Sequence, residues 1–191
     1  MARPRKFEEA DVLVAAMTSF WRHGYTGTTT RRLEEISGVG IRSLANTFGD
    51  KETLFTRALT YYREKTVENI AIAFNPPTVA AIIAHFERLT ASIDSEHPRN
   101  SGCLMVNTVF ELEEPSEQIA EEMELFFELW RSTFQKALDN DKIAHSRARS
   151  EFLLGNFWGV AGLIRIAGDV TAARPMVSVI THTIGSWTMT D

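Results

Sequence analysis

Arg42, Ser43, Asn46 and Thr47 lie within one short stretch, Ile41 to about Phe48, whose inward pair is Leu44 and Phe48. That four-residue spacing puts the two apolar side chains on one helix face and leaves the polar ones on the other. An arginine can donate two hydrogen bonds to a guanine edge, and an asparagine can pair with adenine. Just upstream, Gly38-Val39-Gly40 reads as a tight turn, and Thr29 to Ser37 as another short helix with Leu33 and Ile36 turned inward. Two short helices across a glycine turn are the arrangement in which the second enters a major groove. Thr28 and Thr29 at a helix start, and Lys51 just past the second helix, are placed to meet phosphates. Double-stranded DNA is the expected partner.

The rest of the chain offers different chemistry. His85, Phe86, Phe110, Phe127, Trp130, Trp158, Asn107 and Arg165 combine aromatic surface with a few polar groups, which suits a small-molecule pocket. Aromatic residues at helical spacing also build ordinary cores, and both readings stand. The single cysteine, Cys103, follows Ser101-Gly102. With Ser101 as a helix cap, its thiol falls in the first turn, where the positive end of the dipole favours the reactive thiolate. The competing reading is a small buried hydrophobe. Enzyme chemistry is not expected. His23, His85, His97, His145 and His182 are scattered without metal-ligand spacing. Gly38-x-Gly40-x-x-Ser43 lacks the last glycine of a dinucleotide loop, and there is no Gly-x-Ser-x-Gly elbow. No catalytic residue, metal or cofactor is expected.

The elements that must position these residues read as helices throughout, about nine of them. They span Phe7–His23 with Gly24 as its left-handed stop, Thr29–Ser37, Ile41–Phe48, Lys51–Phe74, Thr78–Asp94, Ser101–Glu113, Ser116–Asp139, Arg147–Gly168 and Arg174–Thr188. The pattern divides into an N-terminal three-helix domain, residues 1–50, and a helical ligand-sensing and dimerisation domain, residues 51–191. Asn75-Pro76-Pro77 is the clearest break in the second part. Glu117, Glu121, Glu122, Glu124 and Glu128 read as a solvated face. The last two helices carry apolar stripes, Phe152, Leu153, Phe157, Val160, Leu163, Ile164 and Ile166, then Met176, Val179, Ile180, Ile184 and Trp187. Gly155, Gly159 and Gly162 permit close helix approach there.

Charge is distributed to match. The net charge is −5, yet residues 1–57 carry +2 and residues 58–191 carry −7, as a DNA-reading head on an acidic body would. One cysteine excludes an internal disulfide, and no window approaches an apolar membrane span. The basic start, Met1 to Lys6, runs into Glu8, Glu9 and Asp11 rather than an apolar stretch, so no signal peptide is expected and the cytoplasm is the expected compartment.

Three segments resemble the DNA-binding domain of the tetracycline-repressor-like (TetR) family over about residues 7–57. They are Gly24-Tyr25-x-x-Thr28-Thr29, then Leu33-x-x-Ile36-Ser37-Gly38-Val39, then Leu44-x-x-x-Phe48-x-x-Lys51-Glu52-x-Leu54. The resemblance implies a homodimer, joined by the last two helices, whose paired reading helices enter successive major grooves of a near-palindromic operator. It also implies a small-molecule effector in the body, and a repressor released by that effector. The chain departs from the family at Ala45 and Thr47, where aromatic residues (or a histidine at the second) commonly touch the DNA backbone. The Gly102–Asn107 run resembles one branch in which some members sense electrophiles or oxidants by cysteine. Two alternatives follow: an electrophile- or redox-responsive regulator acting through Cys103, and a ligand-carrying helical dimer that does not bind DNA.

Overall fold

The structure is a computed structural model that describes residues 8–188. The basic segment 1–6, the expected helix start at Phe7 and the last three residues lie outside the described part. Among the described residues there are nine α-helices, two short 3-10 helices and no strand. The all-α expectation holds.

α1 (Glu9–Gly27) buries Val12, Ala16 and Phe20, a four-residue repeat along one face. Gly24, at φ +75°, bends its end where the sequence placed the stop. α2 (Thr30–Ser37) begins on Thr29, whose hydroxyl accepts the Arg32 amide at 3.1 Å. Its end is Gly38 in the left-handed conformation. α3 (Ile41–Phe48) lies between Gly40 and Gly49. α4 (Lys51–Ala73) starts on Asp50, which accepts the Thr53 amide at 2.8 Å and its hydroxyl at 2.7 Å. Those bonds favour the ionised carboxyl and hold its pKa below the usual value.

In the body, α5 (Val79–Leu89) starts on Thr78 and ends well before Asp94. Asp94 serves a turn instead, accepting the Glu96 amide at 2.8 Å. A 3-10 turn (Pro98–Ser101) precedes α6 (Leu104–Glu111), where one helix from Ser101 was expected. Gly102 divides them. It sits at φ +81°, and a Cβ there would stand 2.6 Å from the Ala161 carbonyl oxygen. The long α7 (Glu117–Asn140) packs between α4 and α8 (Ser146–Ala167), and α9 (Arg174–Ser186) closes against α5. A second 3-10 turn (Val170–Ala173) links the last two helices. One buried core runs from Val12 to Ile184.

Three side-chain expectations change in three dimensions. Ile36, expected inside, is 42% exposed, so Leu33 alone anchors α2. Glu122 is no solvated acid. It accepts Arg63 Nε at 2.7 Å and the Thr60 hydroxyl at 2.9 Å, tying α7 to α4. The broad stripe on α8 splits into two faces. Leu153, Phe157, Val160 and Ile164 are buried, while Phe152, Leu163 and Ile166 are 46%, 41% and 86% exposed. On α9, Ile180 and Ile184 turn inward and Val179 outward.

Candidate nucleic-acid interface and ligand cavity

α3 presents Arg42, Ser43, Ala45 and Asn46 to solvent while Leu44 and Phe48 are 7% and 2% exposed. Thr47 is half-buried, and its carbonyl accepts Arg57 Nη1 at 3.4 Å. The Arg57 guanidinium also covers the Phe48 ring at 4.6 Å, fixing the end of α3 to α4. Thr29 is exposed, but its hydroxyl is engaged as the α2 cap. Lys51 lies over the Tyr25 ring, 4.2 Å from its centre, and burial there pulls its pKa down. Thr28 does not join this face. It is fully buried, and its hydroxyl pairs with Ser19 at 3.2 Å, so its side chain cannot reach a phosphate.

Behind this head, a cavity of about 860 Å³ opens between α1, α4, α5, α7 and α8. That volume suits a small molecule. Of the expected ligand residues, His85, Cys103 and Trp130 line it. The others serve elsewhere. Phe86 is fully buried core, stacked on Phe134 at 6.1 Å. Phe127 packs on Trp158 at 4.7 Å, and Phe110, 70% exposed, meets the same indole from outside. Asn107 donates to the Ser101 carbonyl at 2.7 Å and holds the turn around Gly102. Arg165 points to α1 rather than to the cavity, donating to the Arg22 carbonyl at 2.9 Å and the Trp21 carbonyl at 3.3 Å.

His85 is a strongly perturbed group of the cavity. Burial, helped by the Arg88 and Arg99 charges, lowers its pKa to about 3, so it is neutral at pH 7. Its Nε2 and the Trp130 Nε1 are buried without hydrogen-bond partners. Their rings lie 4.3 Å apart. Cys103 departs from the reactive-thiolate expectation. It precedes α6 rather than lying inside the first turn, and it accepts the Tyr62 hydroxyl at 3.5 Å. Burial raises its pKa more than that bond and the Val106 and Met105 amides lower it. The thiol stays protonated at neutral pH.

Sequence reasoning missed the residues that join cavity to head. Trp21 lines the cavity and donates its indole N–H to the Gly102 carbonyl at 2.9 Å. At the far end of α6, Glu111 accepts the Tyr25 amide at 2.9 Å and the Thr26 amide at 2.7 Å, the donors released where α1 bends at Gly24. The i, i+4 step from Met17 to Trp21 could have suggested a second inward face on α1. Nothing in the sequence signals Glu111.

The geometry is that of an all-helical protein with a helix-turn-helix head and a cavity-bearing body. Residues 12–58 match the family described as "Bacterial regulatory proteins, tetR family". The repressor ComR of Escherichia coli is 28% identical over 71% of this chain. The repressor AcnR of Corynebacterium glutamicum is 47% identical over 45 residues. The aligned chain spans 66% of the length of ComR and 24% of that of AcnR. A cysteine mutant of the TetR-family regulator CifR, solved with 26-bp double-strand operator DNA, superposes with a TM-score of 0.80 at 21% identity, covering 97% of this chain and 100% of that one. Residues 12–58 are thus similar to the tetR family of bacterial regulatory proteins, and the whole chain shares its fold with the solved regulator.

Two measurements check this geometry. His85 takes up no proton in the fold until about pH 3, whereas its unfolded form does so below about 6.5. Stability is therefore full above pH 6.5 and falls as the pH drops toward 3. Between pH 7.5 and pH 5 the native chain should lose about 2 kcal/mol more than His85→Leu, read from urea unfolding at both pH values. Glu111→Ala leaves the Tyr25 and Thr26 amides without their acceptor and should destabilise the chain by about 1–3 kcal/mol in the same assay.

Proposed function

We propose that this protein is a DNA-binding transcriptional regulator, a repressor that leaves its operator when a small molecule fills the body cavity. The observation that carries the reading is α3 itself. Arg42, Ser43 and Asn46 stand free in solvent on a helix whose Leu44 and Phe48 are locked into the core, inside the family-matched segment. Arg42 and Asn46 read base edges, and Ser43 supports them. Thr29, Thr47 and Lys51 sit at the margin and meet phosphates, Thr47 only through a short side chain. The head is residues 1–50 and the body residues 51–191. Among the described residues no helix is long and apolar enough to cross a membrane, and the protein acts in the cytoplasm as a regulator rather than an enzyme.

Two copies join through α8 and α9. Support comes from Phe152, Leu163, Ile166 and Val179, exposed on their outer faces, and from Gly155 and Gly162, where a Cβ would meet nothing within 4 Å. Exposed apolar surface beside bare backbone favours close approach of a second helix pair. Release follows from linkage: an effector that fits one arrangement of the heads better must weaken DNA binding by the factor with which DNA weakens effector binding. The route is short, because Trp21 and Gly102 touch both the cavity and each other.

Fluorescence anisotropy on the DNA upstream of the coding region tests the reading. Binding should weaken steeply from 50 to 200 mM salt. Arg42→Ala should cost about 1–3 kcal/mol and relax selection at one base pair, while Lys51→Ala should weaken all sequences about equally. Unchanged affinity and selectivity in Arg42→Ala would remove α3 as the reading helix. Ile166→Glu places a charge in the proposed interface, so light scattering should find the single-chain mass of 21.5 kDa where the unaltered protein shows twice that. An unaltered protein that is itself monomeric overturns the dimer.

A further inference from the structure

We propose that the cavity takes a hydrophobic carboxylate, with its apolar body against the aromatic floor and its carboxylate at Arg99 and Arg88. This deepens the effector reading above and rests on it.

The charge of the wall sets the sign. Among the described residues no aspartate or glutamate lines the cavity, although acids outnumber bases in the chain by 25 to 20. Lys65, Arg88 and Arg99 all line it. Lys65 is already engaged by Glu68 at 2.8 Å. Arg99 is half-buried, and its guanidinium donates to the Arg88 carbonyl. Neither Arg88 nor Arg99 has a carboxylate partner among the described residues. A guanidinium withdrawn from water beside a second one is costly unless an anion neutralises it. Burial lowers the Arg99 pKa, opposed by the nearby Tyr62 and helped by the Arg88 charge. A carboxylate offers two oxygens to such a planar donor.

The floor sets the body of the ligand. Phe74, Phe126, Trp130 and Phe157 are each no more than 8% exposed and give the ligand's body an apolar wall. A cation meets two arginines and, among the described residues, no acidic side chain in the lining. The His85 and Trp130 rings, whose Nε2 and Nε1 lack hydrogen-bond partners among the described residues, line the same cavity. Buried polar atoms are nearly always hydrogen-bonded, so the two orphans mark this wall as a place where a ligand can supply a partner.

Isothermal titration calorimetry of the full-length protein at pH 7.5 tests this with matched probes: 1-naphthaleneacetate, 1-naphthaleneacetamide and 1-naphthalenemethylamine, then decanoate against decanol. Each carboxylate should bind at least tenfold tighter than its uncharged partner, with the amine weakest. Arg88→Gln and Arg99→Gln should each bring the carboxylate within threefold of the amide without weakening the amide. Arg88 is exposed and carries the test if Arg99→Gln fails to fold by circular dichroism. Equal affinity for charged and uncharged probes overturns the carboxylate assignment and leaves the effector cavity standing. No heat from any probe overturns both. A preference that survives in both variants removes the arginines from the site. Operator binding, measured separately, is untouched by any of these results.

Discussion

The end of α1 is held from both sides, and the placement of the head depends on that grip. Gly24 turns the chain at φ +75°, and a Cβ there would stand 2.8 Å from the carboxyl carbon of Glu111. Glu111 can therefore approach only a glycine, and it takes the two amides that the bend frees. On the other side, Arg165 takes the carbonyls of Trp21 and Arg22. A helix terminus leaves such groups without intrahelical partners, and burying them unpaired costs free energy. Here α6 and α8 supply the partners, so the head is registered against the body by charge-assisted bonds at a single bend. Phe20, wedged on Phe55 at 4.8 Å, adds the apolar half of that joint.

The same helix divides its labour by face. Phe20 points to Phe55 of α4, whereas Met17 and Trp21 reach the cavity. Trp21 stacks edge-on to Tyr62 at 5.0 Å, and Tyr62 donates to Cys103. Gly102 and Cys103 lead directly into α6, the helix that ends at Glu111. The cavity wall at Gly102 and Cys103 and the head support at Glu111 are thus joined by one eight-residue helix. A displacement at Gly102 has little slack to absorb it, since Ala161 stands against that glycine and packed interiors transmit strain rather than damp it.

Much of the head was legible in the sequence because its signals are local. Thr29, Gly38 and Asp50 cap helices through bonds to residues three or four positions away, and α3 runs from Ile41 to Phe48 as its apolar spacing indicates. Thr28 looked like Thr29 but faces Ser19, nine positions back, which no helical period reveals. Ile36 matches the helical period yet stays exposed, because α2 has no neighbour on that side. The cavity was less legible. His85 and Trp130 announced themselves by type, but Arg99 and Trp21 come from separate elements and meet only after folding. Arg165 was assigned to the cavity by its charge in an apolar helix. Its real partners are backbone carbonyls some 143 positions away, which are invisible to composition.

The cavity also explains why a body so rich in aromatic side chains is not simply better packed. Filling 860 Å³ with leucine and phenylalanine would bury more apolar surface and leave no orphaned His85 or Trp130 atom. Keeping His85 neutral and unpaired at depth makes acid more damaging to the fold than it would be without that side chain. Stability forgone at a defined place is the usual mark of a site kept open for another molecule. The joint at Gly24 adds polar contacts at one bend to the apolar packing of Phe20 and Trp21, so under the proposed function a molecule in the cavity would compete with the operator for one arrangement of the head.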